Sequence, residues 1–440
     1  MTAFRHTLFC ALLLLSLSAW SQNGATASAS TVPPNAPLTV DDALRFAKAN
    51  EPQFRSAVAE AGIAHGDKVQ ARAALLPSVA YTTGIIYTTP NGTLTGAYVG
   101  ANGPHEYLSQ GVVHESLSFA GVADLRRTQA LEALGKARAE IALRGLVATV
   151  VQSYYAVIVS DSKYRNAQLA AQEAENFVQL SQKLQNGGEV AHSDVIKAQL
   201  QANDRQRDVQ ETQLAAEQAK LGLAVLIFPD FNPDYQLVND LDKTPALPDF
   251  PQVQQLAATN NPEINAAMAA FKASQYEVSA AVGARIPSLS FDYLYGIDAN
   301  QYATYTPDHI KNLGSQVVAT LSIPIFDWGS LESKIKQAHL QRDVAKVQLS
   351  ATQREALANL RLFYREAQTA RNQIELLKHS ADLAADSLRL TTLRYQGGEA
   401  TALEVVDAQN TLVLARDNFD DATARYRVAI ANLQTLTGSF

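Results

Sequence analysis

The sequence predicts an α+β membrane protein made of two structural repeats, each with two β-strands and long coiled-coil helices. Three observations support this fold class: an internal duplication, apolar seams with alternating three- and four-residue spacing, and four short segments of alternating apolar and polar residues. The chain has 440 residues, which accommodates two copies of such a unit.

The N-terminus predicts a secretory signal peptide over residues 1–21. Arg5 and His6 precede the short apolar run LFCALLLLSLSAW, which ends at a sequence typical of signal-peptidase cleavage. Residues 22–36 are rich in Ala, Ser, Thr and Pro and predict a flexible leader. Cys10 is the only cysteine and lies inside the signal peptide, so we expect no disulfide and no lipid anchor in the mature chain. No run of about 18 apolar residues follows, which argues against a membrane-spanning helix.

Two glycine turns show the duplication most clearly. QNGGEVAHSDVIKAQ, which begins at residue 185, and YQGGEATALEVVDAQ, which begins at residue 395, share six of fifteen residues at an offset of 210. The same offset relates Pro52 to Pro262. A long-period duplication therefore predicts that both halves of the chain have the same order of elements.

The expected boundaries follow from this register. Repeat 1 (37–228) contains a helix, strands at about 77–89 and 107–119, a long helix at about 122–184, a turn at 186–189 and a helix at about 192–227. Repeat 2 (252–440) contains a helix, strands at about 287–297 and 315–326, a long helix at about 329–395, a turn at 396–399 and a helix at about 401–437. The linker at 229–251 contains five prolines, which argue against continuous helix or strand.

The predicted long helices carry a coiled-coil seam. In repeat 2 the seam positions, all but one apolar, are Leu349, Gln353, Ala356, Leu360, Phe363, Ala367, Ala370, Ile374, Leu377, Ala381, Ala384 and Leu388. The same phase recurs in repeat 1, and the helix after each glycine turn continues it. Each long segment lacks proline over roughly 60 residues, which corresponds to a helix of about 90 Å and exceeds an ordinary globular domain.

The four predicted strands have one apolar, aromatic-rich face. In SVAYTTGIIYTT and SLSFDYLYGI the residues on this face are Val79, Tyr81, Ile85, Tyr87, Leu289, Phe291, Tyr293, Tyr295 and Ile297. A transmembrane β-barrel requires this pattern, although a β-sandwich would show a similar one. Four strands leave two unpaired edges, and membrane barrels need at least about eight strands. If these strands span a membrane, several chains must share one barrel.

Other function classes lack support in the sequence. The net charge of −7 gives no reason to expect nucleic-acid binding. The histidines show no metal-ligand spacing, and no phosphate-binding loop or nucleophile elbow occurs. Asp230 begins a calcium-loop-like sequence that fails at Tyr235 and Leu241. We therefore predict no enzyme activity, no cofactor and no metal site.

The order of these elements resembles the TolC-like outer-membrane efflux proteins. The resemblance covers essentially the whole mature chain and includes the strand-to-helix sequence IPIFDWGSLESKIKQA and both glycine turns. It implies a homotrimer in which twelve strands form one barrel in the lipid of the outer membrane. This barrel would be continuous with a periplasmic α-helical barrel. It further implies a passive exit duct that works with a periplasmic adaptor (membrane fusion protein) and an inner-membrane transporter.

The resemblance also implies a gate at the helix turns, which would form the periplasmic mouth. Acidic rings match Glu404 and Asp407. A contact between a tyrosine and an aspartate matches Tyr395 and Asp194, with Ser193 beside it. Where the family has a basic gate residue, this sequence has an alanine at position 400, so the resemblance does not establish the corresponding charged latch, and closure would rest more on packing and on the contact of Tyr395 with Asp194.

Simpler structural roles compete with these assignments. Thr401 and Glu404 form the pattern of a capping box, and Tyr395 continues the apolar seam. Four glycines are interpreted as backbone devices with positive φ, namely Gly187, Gly188, Gly397 and Gly398. Phe440 would be a terminal assembly signal only if the chain ended in a strand. The alternative function is a periplasmic coiled-coil adaptor or scaffold without a membrane barrel.

Overall fold

A computed structural model describes residues 37–87, 105–229 and 234–438 of the chain. The predicted signal peptide, the leader, most of the first inter-strand loop, the start of the linker and Phe440 lie outside these residues. Everything stated below about contacts refers to the described part.

Both repeats have the same order of elements. In repeat 1 these are α1 (Val40–Asn50), α2 (Pro52–Ala73), β1 (Ser78–Tyr87), β2 (His105–Leu117), α3 (Phe119–Asn186) and α4 (His192–Ile227). In repeat 2 they are α5 (Phe250–Asn260), α6 (Pro262–Gly283), β3 (Ser288–Ala299), β4 (Leu313–Ser322), α7 (Ser330–Gln396) and α8 (Ala402–Thr437). The bounds of α5, α6 and α8 lie 210 residues after those of α1, α2 and α4.

The helical segment that opens each repeat is two helices rather than the single one predicted. Glu51 and Asn261 are extended because each precedes a proline, which disfavours helical geometry at the residue before it. The same prolines then begin α2 and α6, where a missing N–H is tolerated.

The starts of the long helices depend on local capping. α3 begins at Phe119, before the expected Val122, because the Ser118 hydroxyl accepts a hydrogen bond from Gly121 N at 3.0 Å. α7 begins after Trp328 and Gly329, both in the left-handed region with φ of 57° and 82°. α3 has 68 residues and α7 has 67, so each is about 100 Å long.

The four strands form one antiparallel sheet in the order β1-β2-β3-β4. Tyr81 pairs with Gly111, and Gly111 pairs with Tyr295, so the aromatic faces of both repeats share one side of the sheet. β1 and β4 are edge strands within the chain. β4 ends at Ser322 rather than near Phe326, since Pro324 cannot donate to a strand ladder.

The predicted seams form the buried contacts of the helices. In α7 the buried members include Leu349, Ala356, Leu360, Ala367, Ala370, Ile374 and Ala384. α7 packs on α8, and α3 packs on α4 as well as on α2, α6 and α8. Tyr154 on α3 donates to the carbonyl oxygens of Leu38 (3.0 Å) and Val238 (2.8 Å), which fixes both the start of repeat 1 and the linker on the middle of this helix.

One described helix, α3, contains an 18-residue window that is long and apolar enough to cross a membrane. Half of that window is buried inside the protein. The core helices of soluble proteins have the same property, so one such helix is weak evidence for a membrane span.

Candidate functional site

The candidate site lies at the tips of the two helical hairpins, where α3 turns into α4 and α7 turns into α8. Both turns close in the same way. Glu189 N donates to Leu184 O at 3.0 Å, and Glu399 N donates to Arg394 O at 2.8 Å. Together with a left-handed glycine, these bonds define a Schellman motif, which ends a helix and reverses the chain.

Only one glycine of each pair needs its conformational freedom. Gly188 and Gly398 have φ of 78° and 76°, a region that side chains with a Cβ rarely adopt. Gly187 and Gly397 have φ of −77° and −83° and continue the helix as its C-cap. The prediction of positive φ is therefore wrong for Gly187 and Gly397, because the reversal occurs one residue later.

Glu404 is part of the capping box of α8. Glu404 N donates to Thr401 Oγ1 at 3.3 Å, and Thr401 N donates to Glu404 Oε1 at 3.1 Å. The hydrogen bonds that Thr401 N and Thr401 Oγ1 donate to the carboxylate hold the pKa of Glu404 below its ordinary value, with a smaller contribution from Arg394. Arg394 Nη1 lies 3.6 Å from Glu404 Oε2, and Arg394 Nη2 donates to Glu399 O at 3.0 Å.

Asp194 is the counterpart of Glu404 in repeat 1. It lies in the first turn of α4, where an acidic side chain is favoured by the helix dipole. Its carboxylate is 3.4 Å from the ammonium group of Lys197, one helical turn away. Ser193 lies beside it and is exposed. Asp194 therefore has a cationic partner on its own helix.

Tyr395 is a packing residue with one buried hydrogen bond. Only 2% of the residue is exposed, and its ring centroid lies 5.1 Å from that of Phe177 on α3. Its hydroxyl donates to Ser181 Oγ at 3.2 Å. Burial raises the pKa of the phenol, and the nearby Asp194 carboxylate adds to that rise, while the bond with Ser181 opposes it.

The contact of Tyr395 with Asp194 that the resemblance implies is not a hydrogen bond within the described residues, and it stays a prediction. The phenol points into the seam of α3 and α7, whereas Asp194 is satisfied from Lys197 at the surface. The Asp194 carboxylate is close enough to raise the pKa of the Tyr395 phenol, but each side chain has another bonding partner.

Asp407 differs from Glu404 and Asp194. It is exposed and lies one turn deeper in α8 than Glu404. Within the described residues its carboxylate has no hydrogen bond or ion pair, and Lys197 is the residue at the repeat-equivalent position on α4. One acid at each tip, Asp194 or Glu404, thus has a cationic partner, whereas the Asp407 carboxylate faces solvent.

Two residues of this site were missed by the sequence analysis. Ser181 continues the seam of α3 beyond Ala174 and Val178. A polar residue at a seam position indicates a buried hydrogen bond, and this signal could have identified Ser181. Arg394 immediately precedes Tyr395 and supplies a basic group at the tip. Its position in the last turn of a helix, where cations are favoured, was the corresponding signal.

Comparisons with known proteins agree with this architecture. A family profile described as "Outer membrane efflux protein" matches residues 253–439. The alkaline protease secretion protein AprF of Pseudomonas aeruginosa is 23% identical over 409 residues, covering 90% of this chain and 84% of AprF. The cobalt-zinc-cadmium resistance protein CzcC of Cupriavidus metallidurans is 24% identical, with 86% and 85% covered. The outer membrane protein TolC of Escherichia coli is 24% identical, with 89% and 80% covered.

Solved structures show the same fold. The outer-membrane channel OprN superimposes with a TM-score of 0.79 at 17% identity, covering 91% of this chain and 90% of OprN. The outer membrane protein VceC from Vibrio cholerae gives a TM-score of 0.78 at 18% identity, covering 91% of this chain and 96% of VceC. The helical hairpins and the small sheet therefore have the same fold as in these solved structures.

Proposed function

Because the chain belongs to the TolC-like family of outer-membrane efflux proteins, we propose that it works as a homotrimer whose twelve strands close one barrel and whose helices continue it as a periplasmic tunnel. The chain is an outer-membrane channel of the kind used in efflux and type I secretion. The family has a transport role rather than an enzymatic one.

The exposed apolar face of the sheet is the observation that supports this proposal. The strands β1, β3 and β4 expose large apolar side chains on one face, namely Val79, Tyr81, Ile85, Phe291, Tyr293, Tyr295, Val317 and Leu321. A periplasmic adaptor or scaffold would have no use for such a face, whereas lipid would cover it. The edge strands β1 and β4 would pair between chains, which removes the unpaired edges that hydrocarbon does not tolerate.

We further propose that the channel is a passive duct joined to an inner-membrane transporter through a periplasmic adaptor. The names of the relatives refer to cargoes as different as a protease and metal ions. One type of duct serving such different cargoes supports a division of labour in which the transporter selects the cargo and supplies the energy.

At the periplasmic mouth we propose Asp407 as the acid that determines cation affinity. Glu404 has Arg394 and its capping bonds, and Asp194 has Lys197, so both charges are compensated locally. Three unpaired Asp407 carboxylates in a narrow water-filled opening would attract cations and repel anions. Tyr395, buried at the same level, would hold the closed packing.

Cell fractionation together with planar-bilayer recordings tests the channel. We expect the protein in the outer membrane and, after purification, discrete conductance steps. Recovery only in the soluble periplasmic fraction, without conductance, would support the adaptor or scaffold instead.

Titration with divalent and trivalent cations tests the role of Asp407 at the periplasmic mouth. Asp407→Asn should weaken block of the single-channel current by at least about tenfold for a trivalent cation, because it removes one full charge per chain. Glu404→Gln is the matched control and should change block far less, since that charge is already compensated. A larger effect of Glu404→Gln than of Asp407→Asn would contradict the assignment.

A further inference from the structure

The strand register separates the two faces of the sheet by residue number. Tyr81 pairs with Gly111 and Gly111 with Tyr295, and β4 continues this register, so residues of the same parity share a face in all four strands. The odd-numbered residues form the apolar, aromatic-rich face. The even-numbered residues form the opposite face, whose titratable side chains are Glu106, His114, Asp292 and Asp298.

The even-numbered face has acids but no permanent cation. Among the residues that the structure describes, the four strands contain no lysine and no arginine. His114 is therefore the one side chain on this face of the described strands that can become positive. If lipid covers the aromatic face, the even-numbered face lines the water-filled interior of the barrel. That interior is then negative, and one histidine per chain can reduce its charge.

His114 and Asp292 are in contact across β2 and β3. The register places them directly opposite each other, and His114 Nδ1 lies 2.6 Å from Asp292 Oδ1. The imidazole is 49% exposed and the carboxylate 29%, so solvent reaches both groups. Protonation of the ring makes this contact a charge-assisted hydrogen bond and cancels the charge of the carboxylate.

No other titratable side chain of the described strands lies next to this pair on the same face. Ser78 of β1 is opposite His114, and its hydroxyl donates to the His114 carbonyl oxygen at 3.3 Å. Val318 of β4 is opposite Asp292. Glu115 follows His114 in sequence but lies on the aromatic face. Within the sheet, the local charge therefore depends on the pair itself.

The pair lies at the end of the sheet nearest the long helices. His114 is close to the end of β2 at Leu117, and α3 begins at Phe119. Asp407 lies near the other end of the helices, roughly 90 Å away. This distance far exceeds the Debye length of about 8 Å at physiological ionic strength, so the two sites are electrostatically independent across water.

We propose that the His114–Asp292 pair sets the charge of the duct where the barrel joins the tunnel, and that it weakens the preference for cations as the pH falls. This inference rests on the proposed function, because the even-numbered face must line the duct. Histidine ordinarily changes its charge between about pH 5 and 8, whereas carboxylates ordinarily do so near pH 4. Above this range the pair is negative and favours cationic cargo. Below it, the pair is neutral and the preference is weaker.

Charged thiol reagents test the pair in the full-length protein. Ala80 is exposed on the same face and is a diagonal neighbour of His114, at about 7–8 Å. Cys10 lies in the predicted signal peptide, so Ala80→Cys gives the mature chain a single thiol. The probes are trimethylammonium-ethyl and sulfonatoethyl methanethiosulfonate, applied to the protein in phosphatidylcholine nanodiscs. The ratio of the two reaction rates cancels the titration of the thiol and reports the local charge.

The ratio of cationic to anionic reaction rates should fall at least about threefold between pH 8 and pH 5.5 at low salt, because a nearby unit charge acts on the two reagents in opposite directions. In the Ala80→Cys background, His114→Gln should keep the ratio high at both pH values. Asp292→Asn should lower the ratio at pH 8. His105→Gln is the matched control and should change nothing, since His105 lies on the same strand but stacks beside Tyr87 on the aromatic face.

Two outcomes would overturn the inference while the channel stands. They are a ratio that does not respond to pH, and a response that is equally large in the His114→Gln variant. Val79→Cys tests the proposed function separately, because Val79 lies on the aromatic face, where lipid should protect it from both charged reagents. Reaction at Val79→Cys together with protection of Ala80→Cys would place water on the aromatic face and overturn the proposed function as well.

Discussion

At the scale of single residues, the hairpin tips separate side chains that look alike in the sequence. Glu404 and Asp407 are both acids near the start of one helix, yet the Glu404 carboxylate accepts from the cap residue Thr401 and the Asp407 carboxylate has no partner among the described residues. Tyr395 has a hydroxyl that could reach either a carboxylate or a serine, and it bonds Ser181. The surroundings, rather than residue type, assign each role.

The bond between Tyr395 and Ser181 leads to a prediction about the closed mouth. Tyr395→Phe removes one buried hydrogen bond and should cost about 1 kcal/mol, with a small rise in single-channel conductance. Ser181→Ala should have an effect of similar size, and the two changes should not add, because they remove the same bond.

Asp194→Ala is the control in that experiment. It should leave the effect of Tyr395→Phe unchanged, and conductance measured for the single and double variants checks this. Coupling of Asp194 to Tyr395 that exceeds the coupling of Ser181 to Tyr395 would restore the contact predicted from the resemblance.

At the scale of elements, the long helices end where a glycine adopts the left-handed backbone conformation. Both hairpins use the same Schellman closure, with a hydrogen bond from Glu189 to Leu184 in one and from Glu399 to Arg394 in the other. The return helices then differ, since α8 has a capping box and α4 begins after Ala191 without a side-chain cap. The tip of repeat 2 is therefore fixed by more hydrogen bonds than the tip of repeat 1.

A pair of neighbouring glycines provides a test of this closure. Gly398→Ala should destabilise the hairpin by about 1–2 kcal/mol, because its φ of 76° is left-handed. Gly397→Ala should cost less than about 0.5 kcal/mol or stabilise slightly, since its φ is −83° and an added Cβ would meet its nearest neighbour at 3.6 Å.

Limited proteolysis at the tip, compared between these two variants, measures the difference. Similar cleavage rates would show that the backbone conformation of the turn does not limit its stability.

At the scale of the whole molecule, the two repeats are joined by a polar seam between α3 and α8. The α3–α8 seam contains Asp417 and Asp420, both half-buried and bridged by one amide group of Asn166. Burial raises the pKa of both carboxyls, while the bond with Asn166 opposes the rise. Lys163, Asp421 and other charged groups surround them, so the seam within the chain is a charged contact.

The raised pKa values predict a pH dependence of this seam. Because the folded state binds protons more readily than the unfolded chain, the seam should become more stable as pH falls from neutral through the raised pKa values. The gain should level off near the unfolded value of about 3.9. Hydrogen exchange of α3 and α8 amides at about pH 7 and pH 5 measures the change.

Asp417→Asn combined with Asp420→Asn should remove that dependence and slow exchange at neutral pH. Asp343→Asn is the control, because Asp343 is exposed on α7 and paired with Arg342 at 2.7 Å, away from Asp417 and Asp420. A pH response that survives in the double asparagine variant would assign it to other groups.

The sequence by itself determined the features that depend on neighbouring residues along the chain. Period and phase of the apolar positions give the length and buried face of α7, and the glycine pairs locate the reversals. The Thr401-x-x-Glu404 pattern gives the capping box, because both hydrogen bonds connect residues three apart. The duplication gives the two-copy layout, since equivalent sequences fold into equivalent units.

Only the tertiary structure decided the features that depend on which helices are neighbours. It gave Tyr395 a serine on α3 as its partner, 214 residues away in sequence. It also showed that Leu376 and Leu383 of α7 are exposed, whereas their counterparts Asn166 and Glu173 on α3 contact α8. Spacing along one helix cannot distinguish these cases, because they are set by side chains that are distant in sequence and a few ångströms away in space.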